Sequence, residues 1–517
     1  MSQFEALLVL LLAAVLLAAL ARRVGAPYPA FLALGGAFLA FIPGSPAITI
    51  EPRLALALFV APILLDSAFD SSRRDLRKNW VPLVNLVVLG VAVTTAAVAL
   101  VVRALVPAMP WAAAIALGAI VAPPDATAAI AVLRHVRPPH RILTILEGES
   151  LLNDASALLI YRLAIGALAA NAFSFGAVAP TFLLAVVGSL MFGPAAAWLM
   201  LRLTRTVRDV PTAIIVQFIG TFGVWIVAER IGLSGVLTMV CFAFAVARPS
   251  SASTPARMRI PSYAVWDTAV FVLNVLAFVF IGLQMRPIFT TLEPAMRIRY
   301  LSIAAIVLLA VIAVRIGWVA IYFAVVKTRS RHVRRSPRDF QPPPTFRGAL
   351  VVGWSGMRGI VTLAAALALP IESGGTAFPY RDLIVLTAFA VVLGTLVIQG
   401  LTLGPLVRAF QLRDDDPVAR EVRAARERAL GAALTILDGV DSEMARLVRQ
   451  EFESHLQPAL DVVENQPETH QQLHRSALVA ARRTIIDMRA NDEIGDDAFH
   501  LLEEEFDWIE MATDPQE

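Results

Sequence analysis

Before residue 410 the sequence contains thirteen apolar runs, each about 17–30 residues long and so able to cross a hydrocarbon core of about 30 Å. They fall at roughly 4–21, 28–43, 53–70, 80–103, 110–134, 141–168, 177–203, 211–229, 231–247, 264–285, 299–327, 346–371 and 381–409. Little else constrains the fold as strongly. In lipid no water satisfies backbone N–H and C=O groups, so only α-helices or closed barrels can span, and runs of this length are helical. The expected class is an all-α polytopic membrane protein of about thirteen transmembrane helices. Composition agrees, with 57% hydrophobic and only 16% charged residues, where a soluble domain carries about 25% charged. The first run has Arg22 and Arg23 behind it rather than ahead of it. It therefore reads as a retained helix and not as a signal peptide.

The net charge of +3 conceals two halves of opposite sign. Up to Arg413 there are 34 Lys+Arg against 16 Asp+Glu, and from Asp414 onward 10 against 25. The expected division is a transmembrane domain over 1–410, with dimerisation and core parts, and an acidic helical tail over 411–517. Within the membrane part, loops after odd-numbered spans hold about 22 Lys+Arg and those after even-numbered spans about 7, the asymmetry that sets orientation. The richest are Arg73, Arg74, Arg77 and Lys78, and the stretch from Lys327 to Arg347. The charge bias places the N-terminus outside, and an odd number of spans then puts the tail on the opposite side, in the cytoplasm, across a cell or inner membrane. Tail segments such as ARERALGAALTIL and HRSALVAARRTIIDM alternate apolar and charged positions near period 3.6, which predicts a small bundle or a dimer contact. The single cysteine, Cys241, excludes a disulfide framework or a thiolate zinc cluster. No basic run is interleaved with aromatics, so nucleic acid is not an expected partner.

An ionised side chain inside a span costs a few kcal/mol or more, so each buried acid calls for a reason. The acids within spans are Asp66, Asp125, Glu147, Glu149, Asp154 and, nearer an end, Asp267. Span six, RILTILEGESLLNDASALLIYRLAIGAL, is the densest. Asp154 lies thirteen residues beyond Arg141, about 20 Å along a helix and hence near mid-membrane. Ser150 and Asp154 share one face at i,i+4, and Glu149 and Asn153 share the next. A hydroxyl and a carboxylate one turn apart offer oxygen donors, which suit hard cations. Span five carries VAPPDATAA, where Pro123 and Pro124 must break the helix just before Asp125. Span twelve, ALVVGWSGMRGIVTLAAAL, gathers Gly353, Gly356 and Gly359 around Arg358 and predicts a second break. The two interruptions lie seven spans apart in opposite orientation, the arrangement of inverted repeats around a midplane ion site.

At these residues the chain resembles the monovalent cation:proton antiporter family, which includes bacterial sodium/proton antiporters and the sodium/proton exchangers of animals and plants. The similarity rests on GESLLNDA at 148–155, PPDATAA at 123–129, APILLDSAF at 61–69 and GWSGMRGIVTLA at 353–364. It implies two crossed unwound helices, a homodimer, no cofactor, and a role in sodium transport and pH homeostasis. It also implies a transported Na+ held at Asp154, Asp125 and Ser150, with Asn153 beside the carrier aspartate and Asp66 contributed by span three. Glu149 and Arg358 resemble the family's buried structural ion pair, and Glu147 is left as a structural acid. Where the family often reads Asp-Pro, this chain reads Pro-Pro-Asp. Transport of K+ or Li+, a cation channel and a membrane-embedded aspartyl enzyme stay open as alternatives. The enzyme reading lacks the Tyr-Asp and Gly-x-Gly-Asp motifs that such a general acid/base pair requires.

Overall fold

The structure is a computed structural model that describes residues 3–24, 27–42, 51–133, 136, 138–169, 175–204, 206–207, 209–253, 256–291, 293–332, 345–373, 376–412, 417–438, 440, 442–456 and 467–513. Helix is present in all thirteen apolar runs. Among the described residues, eight helices are long and apolar enough to cross a membrane: Trp80–Leu105, Trp111–Leu133, His140–Leu168, Leu183–Thr204, Val210–Arg230, Met258–Thr290, Met296–Thr328 and Arg381–Phe410. Three shorter apolar helices lie at Tyr28–Ala40, Leu56–Phe69 and Gly235–Ala247. The remaining two runs hold Gln3–Val24 and the broken pair Phe346–Trp354 and Ile360–Leu367. Most of the arginine-rich stretch expected to face the cytoplasm, residues 333–344, lies outside the described residues.

Large apolar side chains such as Leu12, Phe38, Leu184, Met191 and Ile298 are exposed on the outer faces of these helices. In water such a surface would drive association, whereas in a bilayer it faces its proper solvent. The protein is thus a multi-pass membrane protein with an inverted exterior. Between helices, small residues allow close approach in place of the missing hydrophobic drive. Tyr28–Ala40 packs along the helix Ala256–Leu283. A Cβ at Gly36 would lie 2.3 Å from the Val279 carbonyl oxygen, and one at Gly282 would lie 2.2 Å from that of Ala33.

A second group of mutually packed helices contains Val91–Leu105, Trp111–Val121, His140–Ala169, Pro294–His332 and Arg381–Phe410. Two π-helical turns, Leu56–Val60 and Asn85–Gly90, interrupt the regular ladder. Such turns loosen the i→i−4 pattern and free carbonyls for other donors. The Ser156 hydroxyl donates to the Val87 carbonyl inside the second of them at 2.8 Å.

Among the described residues the tail forms four helices, Pro417–Leu437, Glu443–Leu456, Pro467–Ala490 and Asp496–Thr513. Their apolar stripes meet in a separate core around Ala425, Leu430, Phe452, Phe499 and Phe506. Charge holds this bundle against the membrane part. Arg74 donates to both carboxylate oxygens of Glu421 at 2.7 and 2.9 Å, and the Arg73 amide donates to Asp496 at 2.8 Å. Arg259 Nε donates to Asp507 at 2.7 Å, and Arg482 reaches the same carboxylate at 2.6 Å. Burial pushes the Asp75 carboxyl up at this junction, but hydrogen bonding to His140 and the charge of Arg74 outweigh it and hold the group below its ordinary value.

Candidate functional site

The helix that begins at Trp111 stops at Val121, and a new one starts at Ala126. Pro123 and Pro124 account for the stop, since each lacks an N–H and clashes with the turn before it. The other interruption runs over 355–359, between the helices Phe346–Trp354 and Ile360–Leu367. The two breaks touch. The Asp125 amide donates to the Met357 carbonyl at 2.6 Å, and the Arg358 amide is held by the Thr395 hydroxyl at 3.0 Å.

Each break leaves orphaned carbonyls on one side and orphaned amides on the other. Opposite charges serve them. Arg358 is fully buried; its Nε donates to the Val121 carbonyl at 3.0 Å and an Nη to Ala122 at 3.3 Å, and it also donates to the Gly356 carbonyl. A cation at helix C-termini offsets their partial negative charge. Asp125 does the converse at two N-termini: Oδ1 accepts from the Thr127 amide at 2.8 Å, and Oδ2 lies against Gly359, the N-cap of the following half-helix. The contact is so tight that a Cβ on Gly359 would sit 1.7 Å from Asp125 Oδ2.

The long helix His140–Ala169 passes beside this crossing and carries the remaining candidates. Ser150 Oγ accepts from the Ala126 amide at 3.2 Å. Asn153 is wholly buried, donates its Nδ2 to the Pro124 carbonyl at 2.9 Å, and has no partner for its Oδ1 among the described residues. Asp154 is 8% exposed and lies within electrostatic reach of Asp125. Ser150, Asn153 and Asp125 are therefore brought together, with Asp154 adjoining them. Asp66 is half-buried on the helix Ala61–Asp70, which packs against Gly235–Ser253 and touches the helix of Asp154.

The pair inferred between Glu149 and Arg358 is corrected. Glu149 is bound bidentately by Arg315, at 2.6 and 2.9 Å, with both side chains buried. Arg358 is turned to the backbone carbonyls instead, and only its long-range field reaches Glu149. The acids within spans do not by themselves point to Arg315. The signal was present, since this arginine stands mid-way along the apolar helix Pro294–His332 and an intramembrane cation demands a partner just as an acid does. A cavity on this side is lined by Thr94, Ala122, Pro124, Glu149, Arg315 and Arg358.

Chemically, the crossing offers oxygen donors, with the guanidinium of Arg358 committed to carbonyls and that of Arg315 to Glu149. Such a set accommodates a small hard cation or a proton and disfavours an anion.

The transmembrane sodium/hydrogen exchanger family model matches residues 8–409. The chain is 30% identical over 423 residues to a sodium, potassium, lithium and rubidium/H+ antiporter of Bacillus pumilus, covering 79% of this chain and 62% of that protein's length. It is 32% identical over 440 residues to an uncharacterised Na+/H+ exchanger of Mycobacterium tuberculosis, covering 84% and 79% of the two chains. The sodium proton antiporter MjNhaP1 from Methanocaldococcus jannaschii shares the fold, with a TM-score of 0.59 at 18% identity over 80% of this chain and 99% of that one.

Proposed function

The chain belongs to the sodium/hydrogen exchanger family, and on that premise we propose that it exchanges a monovalent cation, sodium, for protons by alternating access around Asp154. The observation that carries the reading is the buried Asp154 carboxylate beside Asn153, whose Oδ1 is unpartnered among the described residues, at the crossing of two broken helices. Asp154 carries the cation in one half-cycle and a proton in the other. Asn153 Oδ1 and Ser150 Oγ supply neutral oxygen, and Asp125 keeps the site electronegative while bracing both half-helix N-termini. Asp66 flanks the approach from span three.

The remaining parts of the reading follow from charge and packing. In this reading the thirteen apolar runs cross the bilayer, with the N-terminus outside and the tail, residues 411–517, in the cytoplasm of a cell or inner membrane. The protein acts as a homodimer in the bilayer, with no cofactor. Potassium is the second candidate cargo, because the Bacillus pumilus relative is named for potassium as well as sodium.

The test is antiport in inverted vesicles containing the protein. An acid gradient set up inside, followed with a pH dye, should collapse on addition of sodium chloride, and potassium, lithium and rubidium are added in turn to rank the cargo. No response to any of the four would overturn the reading.

A further inference from the structure

Where the tail meets the membrane part, three side chains from three separate elements converge on one point. Asp75 belongs to the short helix Arg73–Lys78, His140 is the first residue of the long helix that carries Asp154, and Asp497 lies in the first turn of the tail helix Asp496–Thr513. Asp75 Oδ2 and Asp497 Oδ2 each lie 3.4 Å from His140 Nε2, and the three donor atoms are all within 4.8 Å of one another. The Thr144 hydroxyl, one turn along, is also 3.4 Å from that nitrogen.

A protonated His140 between two carboxylates fits these distances as an ion pair, and so does a metal ion shared by the three side chains. Imidazole Nε2 directs a single N–H, and a good N–H···O bond measures about 2.7–3.2 Å. Here three oxygens surround one nitrogen, each at 3.4 Å and none closer. Tetrahedral bonds of about 2.0–2.2 Å to nitrogen and oxygen put neighbouring ligand atoms about 3.3–3.6 Å apart, which matches the spacing from the imidazole nitrogen to each oxygen. The charge balances as well, since two carboxylates and a neutral imidazole carry −2.

The surroundings fix the ligands rather than compete for them. Asp75 Oδ1 faces Arg74 Nε at 3.4 Å, leaving Oδ2 for the cluster. Neighbouring Asp496 is taken by Arg489 and by the Arg73 amide, and so anchors the turn that presents Asp497. Outer-sphere hydrogen bonds of this kind orient metal ligands. An imidazole with two carboxylates suits zinc and its first-row neighbours better than magnesium or calcium, which take all-oxygen sets.

We propose that Asp75, His140 and Asp497 bind one divalent transition-metal ion, zinc by coordination preference, which fastens the tail to the end of the helix that carries Asp154. Thr144 or a water completes the tetrahedron. This site is separate from the cargo site, so it stands or falls independently of transport.

The test uses the full-length, tag-free protein in detergent, stripped with EDTA and titrated calorimetrically with zinc chloride, then with magnesium chloride. The expected result is one zinc per chain with a dissociation constant of about 1 µM or tighter, together with a raised melting temperature. His140→Ala and Asp497→Asn should each weaken zinc binding at least about tenfold, a change of about 1.4 kcal/mol. His140→Gln and Asp75→Asn serve if the alanine variant fails to fold. Absence of zinc binding, binding that survives every substitution, or equal affinity for magnesium would each overturn the proposal.

Discussion

Asp125 is hydrogen-bonded to the second broken helix through its backbone: the amide nitrogen donates to the Met357 carbonyl at 2.6 Å. That leaves the side chain free to brace the Thr127 amide and to lie against Gly359. The fit has a sharp consequence for Gly359, where any Cβ must push Asp125 away. Gly359→Ala should cut exchange by at least about tenfold, equivalent to about 1.4 kcal/mol in the barrier. Gly353→Ala is the control, since its added Cβ comes no nearer than 3.4 Å to Ile316 and lies in ordinary contact. Dye-based antiport in vesicles compares the two, and equal activity would remove the steric claim.

Asp154→Asn should abolish exchange while leaving the protein folded, because the amide is nearly isosteric with the carboxyl and cannot release a proton. Melting in detergent checks folding, and sodium-driven collapse of a pH gradient checks transport. Retained sodium/proton exchange would show that another group carries the cargo.

Glu149 and Arg315 form the buried ion pair, so removal of either partner leaves an uncompensated charge at a cost of about 3–5 kcal/mol. Glu149→Ala and Arg315→Ala should both melt well below the wild type. The double variant Glu149→Ala with Arg315→Ala should lose less than the sum of the two, because neither charge is then stranded. Strictly additive losses would mean that the two side chains do not stabilise each other.

Stoichiometry follows from Asn153. If Asp154 is the one acid whose occupancy changes, each half-cycle moves one charge and exchange is electroneutral. Proteoliposomes with a potassium diffusion potential set by valinomycin test this at fixed sodium and proton gradients. A reversal point that moves with voltage would bring a second acid into the cycle, with Asp125 first in line.

Asp507 is completely buried between Arg259 of the membrane part and Arg482 of the tail. Asp507→Ala removes the carboxylate that the two arginines share, leaving Arg259 to Glu503 and Arg482 to Glu510, and should loosen the tail from the helix Ala256–Leu283. Hydrogen exchange along Asp496–Thr513 should then speed up relative to the wild type. Unchanged protection would assign tail docking to Arg74 and Glu421 instead.

The helical class, the run positions and the break before Asp125 were legible because each rests on a local rule: run length against bilayer thickness, and proline against the helix ladder. The candidates Ser150, Asn153 and Asp154 were legible through spacing on a single helix. The partner of Glu149 was not. It stands 166 residues away on Pro294–His332, and no local periodicity tells which of two intramembrane arginines will meet it. The role of Arg358 was hidden for a related reason, since its partners are carbonyls exposed only once Val121 and Ala122 end a helix. The junction at His140 was equally invisible, because Asp75 and Asp497 belong to opposite ends of the chain.

The crossing is stitched mainly through main-chain atoms: the Asp125 amide to Met357, Asn153 to the Pro124 carbonyl, and Arg358 to Val121 and Ala122. A scaffold held this way tolerates drift in whichever side chains are not among its stitches. Ser150 is one such position, its link to the Ala126 amide being long and single. Selection for a different alkali cation therefore has room to work at Ser150 without dismantling the architecture, while Gly359, Asp125 and Arg358 form the part that descent cannot easily rewrite. Libraries aimed at altered ion preference should begin at the first and leave the other three alone.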